Sequence, residues 1–149
     1  MLALLALATA APSAGGLAVG SAAMLLGCSL RCWAFSHLGA AGRTRDPGPP
    51  VSRVVTGPYA HVAHPVYLSN LLIAVGMLLA ASPPWVLAAG LFALLASLYF
   101  VLALRESRQL AQVTGTRDGK QMSWWALARS ERSTWLQLAV FQCCLLPQL

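Results

Sequence analysis

The sequence predicts an all-α integral membrane protein, a helical bundle of three to five transmembrane or membrane-embedded helices. Of its 149 residues, 58% are hydrophobic and only 9% charged, against about 25% charged in soluble globular domains. The mean hydropathy is +0.66. The charges are also segregated. The ten Lys and Arg residues fall as Arg31, then Arg43, Arg45 and Arg53, then Arg105, Arg108, Arg117, Lys120, Arg129 and Arg132. The four acids, Asp46, Glu106, Asp118 and Glu131, accompany the second and third groups. This composition excludes a disordered chain, which is poor in apolar residues and rich in charge. The net charge of +6 reads as a topology signal at a membrane face rather than a nucleic-acid footprint. The length allows one domain, residues 1–149.

Residues 1–11 are apolar but too short to span the bilayer, which takes about 20 helical residues. Pro12-Ser13-Ala14-Gly15-Gly16 interrupts them. Without a basic leading segment they read as a short or broken first helix rather than a signal peptide. The first span covers about 17–37, with Arg31 near its end and able to snorkel. A polar loop follows, in which Asp46-Pro47-Gly48-Pro49-Pro50 cannot be helical. The second span covers about 66–82 and the third about 85–104, joined by a tight turn at Ser82-Pro83-Pro84. Trp85 and Tyr99 sit near the two ends of the third span, as interfacial aromatics do. The helix is expected to run on to about Val113, where Thr114-Gly115 and Asp118-Gly119 break it. Trp124 to Arg132 reads as interfacial. Residues 135–146 are apolar but short, and lie in the interface or pack on the bundle.

A hairpin returns the chain to the side it left, and the segments before and after this one are both basic. Both should therefore face the cytoplasm. There the polar segments meet, and chemistry can be assembled. The four cysteines make no metal site: Cys28 and Cys32 lie in a span without His or acid nearby in sequence, and Cys143-Cys144 are adjacent. They read as small buried apolar side chains. No strand pattern and no sheet are expected.

One stretch concentrates the chemistry-bearing residues: Thr56-Gly57-Pro58-Tyr59-Ala60-His61-Val62-Ala63-His64-Pro65-Val66-Tyr67-Leu68. It resembles the GPYxxxRHPxYLG signature of the isoprenylcysteine carboxyl methyltransferase-like family and the related phospholipid methyltransferases. A second signature of that family, EExxLxxxFG, is matched one hairpin later by Glu106, Leu110 and Gly115. The resemblance covers roughly Arg53 to Gly119. It implies a membrane-embedded S-adenosylmethionine-dependent methyltransferase acting on a lipid-like or small amphiphilic acceptor. It also implies cofactor contacts from Val54, Tyr59, His64, Pro65, Val66, Tyr67 and Glu106. No individual catalytic residue follows from it, since methyl transfer is an in-line displacement that needs positioning and exclusion of water rather than a covalent intermediate.

The chain departs from the pattern at Ala63, at Ser69-Asn70, at Ser107 in place of the second acid, and at Thr114. Asp118 and Gln121 stand where tyrosines follow in the family. Relatives that methylate carboxylates carry an Arg where this chain has Leu102. A neutral or zwitterionic acceptor is therefore expected, such as an amine or thiol headgroup or a phenol-like molecule. Taken singly, His64-Pro65 also reads as a helix boundary, Tyr59 and Tyr67 as interfacial anchors, and Glu106 as a surface partner of nearby cations. His37 and His61 read as interfacial. Two other functions stay open at this point: a catalytically degenerate non-enzymatic protein of the same fold, and a sterol-reductase-like NADPH enzyme, whose family also carries an HP-x-Y element.

Overall fold

A computed structural model describes residues 10–38, 53–113, 115–117 and 124–148. It is helical, with helices α1 (Ala14–Leu38), α2 (Pro65–Ala81), α3 (Trp85–Leu110) and α4 (Trp124–Leu145). The expectations for residues 1–9, for the proline-rich loop at 39–52 and for the break at 118–123 lie outside the described residues. α1 starts three residues before the predicted span because Ser13 caps it: its Oγ accepts the Gly16 N–H at 3.0 Å, satisfying a donor with no partner inside the helix.

α1 and α2 pack most closely, through a seam of small residues. A Cβ on Gly20 would lie 2.5 Å from the Gly76 carbonyl, and one on Gly76 would lie 2.6 Å from Met24. Such close backbone approach is how helices associate in lipid, where apolar burial supplies no driving force between them. α2 begins with Pro65, whose missing N–H costs nothing at that position. It ends at Ser82, whose backbone is left-handed (φ 46°) and whose N–H donates to the Leu78 carbonyl. The chain then turns through Pro83-Pro84 into α3. No side chain of α3 is buried within the protein, so its apolar surface is left to lipid. α1 and α3 are each long and apolar enough to cross a membrane, and α2 is a shorter apolar helix.

The C-terminal segment differs from the sequence expectation. Residues expected as an interfacial piece and a separate short apolar piece form one helix, α4, of 22 residues, about 33 Å long at 1.5 Å per residue. It runs antiparallel to α1. Glu131, early in α4, meets Arg31 near the end of α1 at 2.8 Å. Phe141 and Leu145, late in α4, pack with Met24, Ala80 and Ala81. Arg31 therefore does not snorkel: its guanidinium is bonded to Glu131 and to the Asn70 side chain, and it lies 4.9 Å over the Phe35 ring. Glu131 is 5% exposed and also accepts from the Thr134 hydroxyl at 3.1 Å. Each ion satisfies the other, so neither needs to reach water.

Two smaller expectations are also corrected. A short parallel pairing joins β1 (Arg53–Val54) to β2 (Thr116–Arg117), where no sheet was expected. The Arg53 N–H extends it by donating to the Gly115 carbonyl at 2.8 Å. The two polar segments thus meet at one end of the bundle through backbone hydrogen bonds. Of the cysteines, Cys28 is buried, but Cys143 and Cys144 are exposed on α4. Phe141 and Leu145, one turn apart, take the inward face of α4, which turns the two cysteines between them outward.

Candidate active site

At the end of the bundle closed by the β1–β2 pairing, the chain leaves β1 and makes a short 3₁₀ turn, Gly57–Ala60, before α2 begins. Gly57 opens that turn with φ +63°, a backbone that glycine adopts without a Cβ penalty. The His37 ring, from the end of α1, fills the space a Cβ would occupy, at 2.5 Å. Pro58 is buried. His37 thus seats the turn against the bundle. The turn in turn sets Tyr59 toward α2 and α3.

His64 stands immediately before α2, with Pro65 as the first helical residue. Its ring connects the two signatures. Nδ1 lies 3.2 Å from Glu106 Oε2, and Nε2 lies 2.8 Å from Ser107 Oγ. The His64 side chain is 16% exposed and that of Glu106 45%, so one end of the carboxylate remains open to a ligand. One turn into α2, Tyr67 stacks on His64, with ring centroids 5.5 Å apart and planes 23° apart. On its other side it stacks on Tyr99 of α3 at 5.5 Å and 27°. Glu106 also lies within electrostatic reach of the Tyr67 phenol.

Tyr59 closes the group. Burial, and then the charge of Glu106 and the neighbouring Tyr67, hold its phenol well above the usual tyrosine range. It is therefore a neutral hydroxyl at any physiological pH, able to donate to an acceptor or to cover an aromatic ring. The N–H groups of Val66 and Tyr67, in the first turn of α2, have no helical carbonyl to bond, as at every helix start. They suit an anion.

Of the residues predicted for the site, Tyr59, His64, Tyr67 and Glu106 converge, and Pro65 and Val66 form the helix start beside them. Val54 lies in β1, 6% exposed and paired with Arg117, and is not brought into the cluster. His61 is exposed and stands outside the cluster. Two members were not predicted, Tyr99 and Ser107. Tyr99 lies seven residues before Glu106, two turns along one helix, which was a signal available in the sequence. An open apolar cleft between α2 and α3, lined by Val75, Leu79, Trp85 and Phe92, lies at the opposite end of the same helix pair.

The cluster offers a half-open carboxylate, stacked phenols, an imidazole, an exposed hydroxyl and free backbone donors. That set suits a ligand carrying a cationic amine, a carboxylate and an aromatic base together. Residues 16–117 match the family model described as phospholipid methyltransferase. No curated protein and no solved structure matches the chain.

Proposed function

The chain belongs to the phospholipid methyltransferase family, and from that membership we propose that it uses S-adenosylmethionine to methylate a lipid-like or small amphiphilic acceptor at the His64–Glu106 cluster. The observation that carries this reading is the 3.2 Å approach of His64 to Glu106, which joins the two signatures across the α2–α3 hairpin. Bound there, the cofactor supplies a methyl group on a positively charged sulfur.

The residues of the chain supply the rest. The open side of the Glu106 carboxylate pairs with the cofactor amine or ribose hydroxyls. The Val66 and Tyr67 N–H groups would receive the cofactor carboxylate, while His64 holds the Glu106 carboxylate in place beside them. Tyr59 would cover the adenine, Tyr67, whose faces are taken by His64 and Tyr99, would offer its ring edge, and the buried Val54 and Pro65 would support the site from behind. The site orients the acceptor for an in-line approach and keeps water out. The acceptor arrives from the bilayer, with its headgroup at the polar end of the bundle, which we assign to the cytoplasmic face from the basic residues on either side of the hairpin.

The test is calorimetric titration of the detergent-purified protein with S-adenosylmethionine and, separately, with NADPH. Saturable binding of the first alone supports the proposal. Binding of NADPH alone would favour a reductase, and binding of neither a non-enzymatic relative.

A further inference from the structure

The His64 ring has both nitrogens engaged, and by unlike partners. An ionised carboxylate only accepts hydrogen bonds, so the nitrogen that faces Glu106, Nδ1, carries a proton. In a neutral imidazole the other nitrogen is then an acceptor, and the group it faces is the Ser107 hydroxyl, 2.8 Å away. The order is carboxylate, Nδ1–H, Nε2, hydroxyl. A base held in one tautomer by an acid, with a hydroxyl on its free nitrogen, is an arrangement for moving a proton. Ser107 is exposed, so the far side of its oxygen is open to a ligand. No part of the cofactor reading uses it.

We propose that Ser107 and His64 form a proton relay that removes a proton from an ammonium-bearing acceptor before methyl transfer. The inference rests on the methyltransferase reading above. An ammonium nitrogen has no lone pair and cannot attack a methyl group. The acceptor ammonium gives a proton to Ser107 Oγ as the Ser107 proton passes to His64 Nε2. The acceptor is left as a neutral amine with its lone pair free, and His64 as an imidazolium. Glu106 stabilises that cation from the Nδ1 side. After transfer the proton leaves His64 for water by the same exposed hydroxyl. Among the described residues, the groups facing His64 are Glu106 and Ser107 from α3 and Tyr67 from α2, with Tyr59 from the preceding turn coupled to Glu106 and Tyr67.

The full chain contains three histidines, so ¹⁵N-histidine labelling in detergent gives a spectrum that His64→Gln assigns. At neutral pH the relay requires a protonated Nδ1 and an unprotonated Nε2 on His64. It further requires the Nε2 resonance to move in Ser107→Ala and return in Ser107→Thr. In activity assays with short-chain phosphatidylethanolamine as the probe, Ser107→Ala should bind S-adenosylmethionine within about twofold of wild type. Its kcat should fall by about 10²-fold near pH 7, the scale of one acid–base catalyst. The deficit should shrink as pH approaches the amine's own pKa, about 10, and Ser107→Thr should restore the rate. A protonated Nε2 at neutral pH, or a rate loss in Ser107→Ala that does not change with pH, overturns the relay and leaves cofactor binding standing. A wild type that binds no S-adenosylmethionine overturns the methyltransferase reading and the relay with it.

Discussion

Arg31 and Glu131, one hundred residues apart in sequence, meet at 2.8 Å between α1 and α4, with 20% and 6% of their side chains exposed. Ionisable groups inside a membrane bundle are stable only when paired, and this pair ties the C-terminal helix to the first one. Removing one partner leaves the other charge buried and uncompensated, at a cost of about 3–5 kcal/mol. Arg31→Leu and Glu131→Leu should each lower the thermal unfolding midpoint in detergent markedly. The double variant should recover most of the loss. A double variant as unstable as the sum of the singles would show that the two residues act independently.

Gly57 should tolerate no side chain. At φ +63°, with the His37 ring 2.5 Å from the position of a Cβ, Gly57→Ala meets both backbone strain, about 1–2 kcal/mol for a left-handed L-residue, and a collision. The 3₁₀ turn that carries Tyr59 has to move. Gly57→Ala should weaken cofactor binding more than it weakens global stability. His37→Ala combined with Gly57→Ala should restore part of the affinity by clearing the space. An unchanged binding isotherm for Gly57→Ala would mean that the turn does not border the ligand.

Much of this architecture is legible in the sequence, and what is not has a physical cause. The first three helices follow from long apolar runs bounded by Pro, Gly and charge. α4 does not, because Arg129, Glu131 and Arg132 interrupt its apolar pattern, and the burial of Glu131 rests on its pairing with Arg31, which no local pattern reveals. The convergence of His64 with Glu106 was readable from two motifs one hairpin apart. Ser107 was read only as a lost acid, since its hydrogen bond to His64 depends on how α3 is rotated against the start of α2. Tyr99 was read as an interfacial anchor because it lies near a span end, and its stacking on Tyr67 shows that it faces inward.

Tyr59 makes a pH prediction. Its phenol is raised above the ordinary tyrosine value near 10 by burial first, then by Glu106 and Tyr67. The folded protein therefore holds the Tyr59 proton more tightly than the unfolded chain does. The stability this contributes is fully present below about pH 10 and is lost as pH rises through the higher folded value. Absorbance titration of tyrosinate should show phenol titrating later than the ordinary transition, and Tyr59→Phe should remove one late-titrating group. If Tyr59→Phe instead removed a phenol titrating near 10, the burial of this side chain would be contradicted.

The acceptor should not be a prenylcysteine carboxylate. A buried carboxylate calls for a cation, best an Arg that bonds both oxygens, and the position one turn before Glu106 is Leu102. Arg105 adjoins Glu106 and so points about 100° away from it on the helix. With labelled cofactor and a panel of acceptors, amine or thiol amphiphiles should be methylated and a prenylcysteine analogue should not. The reverse pattern would refute the role assigned to Leu102.

The central claim is that His64 and Glu106 together hold S-adenosylmethionine, and titration calorimetry on three variants measures it directly. Loss of a charge-assisted contact costs about 1.5–3 kcal/mol, or roughly ten- to a hundredfold in affinity. His64→Ala and Glu106→Gln should each weaken binding by that factor, while His61→Ala, exposed and outside the cluster, should bind as the wild type does. Wild-type affinity in both His64→Ala and Glu106→Gln would contradict the account.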